Sequence, residues 1–569
     1  MLKKYSINLE TEGPFQYLLG ILCLLVYVGC LYFPLMDKDA AHHANIALHM
    51  LQFNDYVSLV DRHMEYLDKP HFLFWVSAAS FKIFGVNTFA YRLPAILFGL
   101  ISIYSTYRLA RHLSNKTTAK LAAIMLATAQ GFILSINDAR METPLMSAII
   151  FGLWQLIVYI DTRRFWNVVL AALGAGIAFS TKGWIGPAII FIAAFFYILL
   201  NRKWAVLTHW KTWLFIPFLL LFISPVLYAY YLQYDLHPEK VVRNMSHISG
   251  VKFILWNQNF ERFGGDGFAK GGRNSSVFFL YHTFLWAFFP WCIMAYVAVI
   301  FWLRRMIFYK KWKYPFNFAA LAFAFILFTI SFSKFKMPHY VFMLLPLAAL
   351  FTAPYVRLVL SYKGGFKFYY PLHVILAVLV IIVAIVLNYF FLPLSGEGQI
   401  IGALLIIGFL LLLFRKTQYP AFKLIYITAC VSVLFNLFMN YNFFPNLLNY
   451  QGGNKLAARM ERDMNPPISD RDILLLDVNA HSFDFYRGYN HDIVDLTQLG
   501  NKLPSLPDKY FLITAKMARE SLADSFIVKP VISADDYNVT TLKLKFLNPK
   551  TRSSKLDTLM LAKIEPRKF

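Results

Sequence analysis

Several charged and polar residues that could carry chemistry stand directly beside apolar segments. The first is Asp39, which opens the polar run 39–50 after a long apolar segment. Small apolar residues recur at helical spacing in this run, which predicts an amphipathic helix lying along a membrane interface. Asp39 could cap that helix. It could equally act as a catalytic base, because apolar surroundings raise the basicity of a carboxylate.

A second polar run, residues 61–71, contains acids, histidines and a lysine. Acids and histidines within one loop could bind a divalent metal, or they could form a solvated surface with ordinary salt bridges. Lys69 precedes Pro70 and a new apolar segment. That position suits a point charge that binds an anion.

Four later junctions also place charged side chains beside apolar segments. They are residues 138–144, 181–186, 260–265 and 333–340. An isolated lysine or arginine at such a place can extend its charge to the membrane surface without any function. Because the feature is repeated on one side of the predicted membrane, it indicates a site for an anion held at that surface.

The composition is that of a membrane protein. Of the 569 residues, 58% are apolar and only 15% are charged, against about 45–50% and about 25% in soluble domains. The mean hydropathy of +0.51 excludes a soluble enzyme, a disordered protein and a fibrous protein. The net charge of +24 indicates basic cytoplasmic loops that face anionic lipids. Membrane lipids are therefore expected partners, and nucleic acid is not.

Thirteen apolar segments have the character of membrane-spanning helices, which need roughly 20 residues. They are residues 16–36, 88–107, 118–135, 145–160, 166–180, 185–200, 213–231, 279–302, 316–332, 339–356, 370–392, 399–414 and 422–443. An odd number of spans places the two ends of the chain on opposite sides of the membrane. The N-terminus is predicted to be cytoplasmic, because the basic clusters then fall in cytoplasmic loops. Those clusters are residues 108–120, 163–164, 202–211, 304–313, 357–367 and 415–423.

The predicted fold is an all-α polytopic protein of the inner (plasma) membrane, with about 13 transmembrane helices and a small soluble α/β domain. The transmembrane domain takes residues 1–443 and has outer loops at about 37–86 and 233–278. Residues 444–569 form the periplasmic α/β domain. Its predicted strands are residues 473–478, 510–515, 539–547 and 556–564. It contains no nucleotide-binding glycine motif, so we assign no chemistry to it.

Six short motifs occur in order between residues 16 and 450. They are residues 39–50, Tyr66-Leu67-Asp68-Lys69-Pro70, residues 81–94, Thr181-Lys182-Gly183, Pro290-Trp291 and Phe335-Lys336-Met337-Pro338-His339-Tyr340. This ordered set resembles the GT-C type polyprenyl-phosphate-dependent glycosyltransferases, which include the bacterial aminoarabinose lipid A transferases and the protein mannosyltransferase-like enzymes.

The resemblance implies an integral membrane hexosyl- or pentosyltransferase that moves a sugar from a polyprenyl-phosphate donor to a cell-envelope acceptor on the periplasmic face. A lipid A-like lipid, a glycan and a protein hydroxyl all remain open as acceptors. Asp39 matches the family's catalytic carboxylate, and Glu142 resembles a second outer-face acid of related mannosyltransferases. The residues that match donor phosphate and lipid-binding positions are Lys69, Arg262, Tyr66, Lys182 and Tyr340.

The chain also departs from the aminoarabinose pattern. Residues 40–43 are Ala-Ala-His-His, where that pattern has Glu-Thr-Arg-Tyr. The acid before Lys-Pro is Asp68 rather than Glu, and Asn259 stands at the place of a histidine near the second-loop arginine. Asp68 is the candidate ligand for a divalent metal cofactor, but the family's full ligand set is not present. The sugar is not specified by these residues.

The predicted chemistry is direct transfer from lipid phosphate. Lys69 and Arg262 would stabilise the leaving phosphate in a partly dehydrated site. Asp39 would accept the proton of the acceptor hydroxyl, a contribution of roughly 10²–10⁴-fold. The resemblance implies inversion at the anomeric carbon.

Two alternatives stay open at this point. A lipid-linked oligosaccharide ligase would need a donor pocket large enough for a glycan chain. A lipid transporter or flippase would need polar residues inside the spans and helices broken at the midplane of the membrane.

Overall fold

The computed structural model of the protein describes residues 13–62, 64–242, 245–264, 276–414, 420–506 and 508–567. Most of the chain before residue 449 is helical. The principal helices are Gly13–Gly29, His42–Phe53, Phe72–Phe84, Thr88–Leu113, Lys116–Ala127, Gln130–Asn137, Glu142–Thr162, Phe165–Lys182, Ile185–Asn201, Phe215–Tyr230, Gln258–Gly264, Phe279–Ala287, Cys292–Ile307, Asn317–Ser331, Leu345–Leu360, Lys363–Val386, Gly396–Phe414 and Pro420–Phe438.

The helices confirm a multi-pass membrane protein. Within the described residues, 7 helical segments are long and apolar enough to cross a membrane, or up to 8 if the pair Lys116–Ala127 and Gln130–Asn137, bent by 55°, is one span. Each of the thirteen predicted segments contains helix. The count of thirteen spans stays a prediction, because helices such as Ile185–Asn201 are apolar but shorter.

Two consecutive helices form a closely packed antiparallel pair. The helices Glu142–Thr162 and Phe165–Lys182 are joined by only two residues, so they must run in opposite directions side by side. A Cβ atom on Gly174 would lie 2.6 Å from the Cα atom of Gly152. Only glycine lets the two backbones approach this closely. The pair therefore brings the start of the first helix beside the end of the second.

The C-terminal part contains a five-stranded mixed sheet. Its strands are β1 (Ile473–Leu476), β2 (Ile493–Val494), β3 (Tyr510–Thr514), β4 (Phe526–Asp536) and β5 (Asp557–Pro566), in the spatial order β2-β1-β3-β5-β4. Strand β1 pairs parallel with β2 and β3, whereas β5 pairs antiparallel with β3 and β4. Alternate residues of β1 and β3 enter the hydrophobic clusters on the two faces of the sheet, as the two-residue period of a strand requires. The small α/β part of the predicted fold class is thus confirmed.

One predicted strand was wrong. Residues 539–547 form turns and the short helix Leu544–Leu547, and the chain uses Phe526–Asp536 as the strand instead. That strand contains Pro530 and has an irregular register between Pro530 and Ile532. It lies at the edge of the sheet, where a proline and exposed side chains are tolerated. Such a strand has little hydrophobic alternation for sequence reasoning to detect.

The helix His481–Arg487 joins the C-terminal part to the first outer loop. Its Phe485 packs in one hydrophobic cluster with Ala41 and Phe81. Arg62 donates to Asp484 in an ion pair whose side chains are 1% and 0% exposed. Because a buried charge is costly without a partner, this pair favours one fixed docking of the two parts.

The predicted amphipathic helix exists as His42–Phe53, but it does not present a free polar face to solvent. Its residues from His43 to Met50 are all buried. Asn45 explains the covered face: its Nδ2 donates to the carbonyl oxygen of His481 at 2.9 Å, and its own carbonyl accepts from Asn490. The helix therefore packs against the C-terminal part, and its position along the membrane interface stays a prediction.

Candidate active site

A cavity of about 340 Å³ lies where the first outer loop meets the outer helix junctions. The residues that line it are Asp39, His42, His43, Tyr66, Asp68, Lys69, Asp138, Arg140, Met141, Glu142, Phe335, Met337, His339 and Tyr340. Both polar runs of the first loop and two of the four later junctions identified in the sequence thus meet at one place.

The buried end of the cavity is built by the antiparallel helix pair. Glu142 is the first residue of one helix and Lys182 is the last residue of the other. An acid at a helix N-terminus and a base at a C-terminus both interact favourably with the helix dipoles. The Nζ atom of Lys182 donates to Glu142 Oε1 at 2.6 Å, and both side chains are more than 90% buried. Lys182 Nζ also lies 4.7 Å from the ring centre of Tyr340.

A chain of polar contacts runs from this buried pair to the mouth of the cavity. His339 Nε2 lies 3.5 Å from Glu142 Oε1, and its Nδ1 lies 3.3 Å from Arg140 Nη1. Arg140 Nη2 lies 3.3 Å from Asp39 Oδ2. The two acids at the ends of this chain differ sharply, since the side chain of Asp39 is 56% exposed and that of Glu142 is 5% exposed.

Arg140 holds the acids of the cavity together. Its Nε donates to Asp138 Oδ2 at 2.7 Å. Burial disfavours its charged form, but the carboxylates of Asp138, Glu142 and Asp39 outweigh burial and raise the pKa of Arg140. Burial, with the nearby charge of Asp39, raises the pKa of Asp138 even though Arg140 lowers it in part. Arg140 is therefore a fixed cation in the cavity.

The structure tests the interpretation of Asp39 as a helix cap. The helix that follows begins at His42, and its N-cap position is Ala41, without a capping hydrogen bond from a side chain. The preceding turn, Asp37–Ala41, has its N-cap at Met36, also without such a bond. Asp39 therefore caps neither of these two described helix starts, and the interpretation of Asp39 as a helix cap is wrong. Its carboxylate faces Arg140 and solvent.

Lys69 and Tyr66 line the cavity together with two histidines, His42 and His43. The hydroxyl of Tyr66 lies 3.4 Å from His43 Nε2. Burial, followed by the charges of His42 and Lys69, lowers the pKa of His43 to about 3. His43 is consequently neutral at physiological pH, and Lys69 and Arg140 supply positive charge to the cavity.

The second outer loop supports the segment that carries Lys69. Gln258 Nε2 donates to the carbonyl oxygen of Asp68 at 3.0 Å, and Tyr234 donates its hydroxyl to the carbonyl oxygen of Tyr66 at 3.1 Å. Arg262 lies four residues after Gln258 in the helix Gln258–Gly264. The side chain of Arg262 lies outside the described part of the structure.

The residues predicted to form the site are largely brought together. Asp39, Glu142, Lys69, Tyr66, Asp68 and Tyr340 all line the cavity. Lys182 lies next to it and reaches it only through Glu142 and Tyr340. The roles assigned to these residues stay predictions.

Sequence reasoning assigned no role to Arg140 or His339, although both stand in junctions that it identified. The charge pattern in Asp138-Ala139-Arg140-Met141-Glu142 predicted only that charged side chains stand beside apolar segments there. It did not indicate that Arg140 would also reach Asp39 and His339, because those contacts depend on how distant helix ends meet.

Among the described residues, Asp68 belongs to no cluster of metal-binding side chains. Within the described chain, one group of three His, Cys, Asp or Glu residues has its ligand atoms close together, and it is His42, Asp61 and His481. Asp68 is not a member of that group. Its backbone carbonyl accepts a hydrogen bond from the amide of Gln258, and we derive no step of the chemistry from a metal at Asp68.

Part of the chain is similar in sequence to known proteins. Residues 68–229 match the family model for dolichyl-phosphate-mannose-protein mannosyltransferase. A protein of Aquifex aeolicus is 27% identical over 343 residues, which are 59% of this chain and 64% of the relative. The undecaprenyl phosphate-alpha-4-amino-4-deoxy-L-arabinose arabinosyl transferase of Pseudomonas aeruginosa is 25% identical over 340 residues, 58% of each chain. The matched region thus spans less than two thirds of the length of these relatives.

The crystal structure of ArnT from Cupriavidus metallidurans bound to undecaprenyl phosphate superposes on this structure with a TM-score of 0.72. The superposition covers 96% of this chain and 98% of ArnT, at 16% sequence identity. The chain has the GT-C fold. The family resemblance drawn from the ordered motifs is confirmed, and the GT-C likeness extends through the C-terminal part because nearly the whole chain superposes.

The pairing of Lys182 with Glu142 predicts that breaking this buried ion pair destabilises the protein much more than breaking an exposed ion pair does. Lys182→Ala leaves a buried carboxylate without its nearest cation, and we expect a loss of about 3–5 kcal/mol in the free energy of unfolding. Denaturant unfolding in detergent measures this loss. Glu565→Ala is the matched control, because its pair with Lys529 is 49–58% exposed and should be worth about 1 kcal/mol or less. Equal losses in the two variants would contradict the structural importance of the buried pair.

Proposed function

We propose that this protein is a membrane glycosyltransferase that takes a sugar from a polyprenyl-phosphate donor and transfers it to a hydroxyl group of a cell-envelope acceptor. The observation that carries this proposal is the cavity in which an exposed carboxylate, Asp39, and a lysine, Lys69, stand on the walls of one GT-C site. The aminoarabinose transferase relative and the undecaprenyl-phosphate-bound ArnT structure support the class of donor.

The proposed reaction breaks one bond and forms one bond at the anomeric carbon. The acceptor hydroxyl oxygen attacks that carbon while its bond to the phosphate oxygen breaks. The proton of the hydroxyl passes to Asp39, and the electron pair of the broken bond leaves with polyprenyl phosphate. Direct attack inverts the anomeric centre. The lipid phosphate carries the activation, so the step requires no nucleotide.

Asp39 suits the proposed role of base better than Glu142 does. A base must come within hydrogen-bond reach of the attacking hydroxyl, and Asp39 is the more exposed of the two acids. Glu142 is held by Lys182 and His339. We assign Glu142 the task of positioning His339 and, through it, Arg140. Lys182 and Tyr340 then act on the donor pocket by fixing Glu142 and the cavity wall.

The proposed phosphate site combines Lys69 and Arg262. Lys69 lines the cavity, and the bond from Gln258 to the carbonyl oxygen of Asp68 joins the second loop to the residue before it. Because Arg262 belongs to the same short helix as Gln258, this bond supports convergence of the two cations. Stabilisation of developing charge by such preorganised groups is commonly the largest catalytic contribution.

The size of the cavity favours transfer of one sugar over the ligase alternative. A volume of about 340 Å³ lies near the lower end of the roughly 300–1,000 Å³ of small-molecule pockets. A ligase would need room for a glycan chain. The cavity's charged residues come from the outer loop and helix junctions, which also argues against the flippase alternative.

We further propose that the cavity faces the periplasm and that the chain divides into a transmembrane domain, 1–443, and a periplasmic domain, 444–569. The basic connection at residues 163–164 supports this orientation. It joins the ends of the helix pair that lie opposite Glu142 and Lys182, and basic loops are retained in the cytoplasm. The N-terminus is then cytoplasmic in the inner membrane.

Replacing Asp39 by Asn is expected to remove transfer while leaving the protein folded. The exposed side chain contributes little to packing, but the loss of a general base should lower kcat by roughly 10²–10⁴-fold. Turnover of a polyprenyl-phosphate sugar by the purified variant measures this. Asp55→Asn is a control from the same loop, because Asp55 accepts backbone hydrogen bonds from Val57 and Ser58 outside the cavity. Near-normal turnover in Asp39→Asn would remove Asp39 as the base.

If Lys69 and Arg262 share one phosphate, either Lys69→Ala or Arg262→Ala should lower kcat/KM for the donor by roughly 10²–10³-fold. The double variant should lose less than the sum of the two single losses, because contacts to one group are coupled. Lys69→Arg should be tolerated only in part, because a planar guanidinium does not replace a compact ammonium. The exposed Lys252 of the second loop provides the control variant Lys252→Ala. Strictly additive losses in free energy would argue for two independent charges.

Fusions can test the proposed orientation. A phosphatase reporter that is active only in the periplasm should be active when fused after Phe569 and inactive when inserted at residues 202–211. The reverse pattern would invert the proposed topology. Activity at both positions would contradict the odd number of spans predicted between residues 211 and 569.

A further inference from the structure

Three side chains with metal-binding chemistry meet where the first outer loop touches the C-terminal part. His42 comes from the start of the helix His42–Phe53, Asp61 from the following short strand, and His481 from the helix His481–Arg487. Their ligand atoms all lie within 4.8 Å of one another. His42 also lines the cavity, so this cluster stands at its rim.

The distances between the ligand atoms are compatible with one small dication bound between them. His42 Nε2 lies 2.9 Å from Asp61 Oδ2, and His481 Nδ1 lies 3.9 Å from Asp61 Oδ1. Ligands bound tetrahedrally to zinc at about 2.0–2.1 Å are about 3.4 Å apart, which is between these two values. The imidazole rings of His42 and His481 are stacked with their centres 4.4 Å apart. Side-chain rotations that turn the two ring nitrogens toward Asp61 would bring the three groups onto one ion.

Two of the ligand atoms are buried without a hydrogen-bond partner. They are Asp61 Oδ1 and His481 Nδ1, on side chains that are 13% and 6% exposed. A buried polar atom without a partner is costly, and in native proteins it often points to an ion or water that satisfies it. Both atoms face each other across the same gap.

Neighbouring residues fix the position of His481. Asn45 Nδ2 donates to its carbonyl oxygen at 2.9 Å, and the buried pair between Arg62 and Asp484 holds the same helix against the loop. Outer partners of this kind orient the ligands of a metal site. The cluster therefore has supporting residues in both parts of the chain.

We propose that His42, Asp61 and His481 bind one zinc-class dication that clamps the C-terminal part onto the first outer loop at the rim of the cavity. Two imidazoles and one carboxylate favour zinc over magnesium or calcium, which prefer oxygen ligands. Three protein ligands leave one position for water. This clamp does not depend on the proposed transfer, and it gives the C-terminal part a role that its sequence did not indicate.

The direct test is binding of Zn²⁺ to the full-length protein in lipid nanodiscs, purified without a polyhistidine tag and stripped of metal by a chelator. Competition with a chromophoric chelator gives the affinity, and elemental analysis gives the stoichiometry. We expect one tightly bound Zn²⁺ per chain. His481→Ala and Asp61→Asn should each weaken binding at least about 100-fold, the upper range for residues that only orient ligands. His237→Ala, at an exposed histidine of the second outer loop, should bind as the unaltered protein does.

A second measurement separates the clamp from loss of folding. Zn²⁺ should raise the midpoint of thermal unfolding of the unaltered protein and leave that of His481→Ala unchanged. X-ray absorption should show two imidazoles around the ion. His481→Asn, which keeps a polar side chain of similar reach, replaces the alanine variant if the latter does not fold. Failure of the unaltered protein to bind Zn²⁺ stoichiometrically, or equally tight binding by the His481 variants, would overturn the site and leave an ordinary hydrogen-bonded cluster. Neither outcome would alter the expected loss of transfer in Asp39→Asn.

Discussion

The buried pair of Glu142 and Lys182 is the constraint on which the architecture of the cavity depends. A carboxylate that is only 5% exposed must have a cation beside it, and the antiparallel helix pair supplies one by bringing a helix end to a helix start. The close contact at Gly152 and Gly174 fixes how the two helices lie against each other. Glu142 in turn positions His339 at 3.5 Å, and His339 contacts Arg140 at 3.3 Å.

This arrangement gives two chemically similar acids, Glu142 and Asp39, different roles. Glu142 is surrounded by Lys182 and His339 and has little freedom to exchange partners. Asp39 touches Arg140 at 3.3 Å but remains half exposed to the cavity. An acid of the first kind can position its neighbours, whereas one of the second kind can meet an incoming hydroxyl. The difference comes from burial, because the residue types alone would allow either role.

The sequence predicted the helices and most of the cavity, because both depend on local patterns. Long apolar runs mark the spans, and charges beside them marked Asp39, Lys69 and Glu142. The contact of Arg140 with Asp39 and His339 could not be predicted, since it joins residues about 100 and 199 positions apart. The strand Phe526–Asp536 was missed because an edge strand with a proline carries little alternation. The burial of His42–Phe53 was missed because its covering helix lies more than 400 residues later.

The C-terminal part belongs physically to the rim of the cavity. Its helix His481–Arg487 covers the polar face of His42–Phe53, and His481 stacks on His42, a residue of the cavity wall. Separation of the two parts would expose Asn45 and break the buried pair of Arg62 and Asp484. Because breaking a buried ion pair costs several kcal/mol, about 3–5 in measured cases, the separated arrangement is strongly disfavoured. The rim beside Asp39 is consequently formed by two distant regions of the chain that must be docked together.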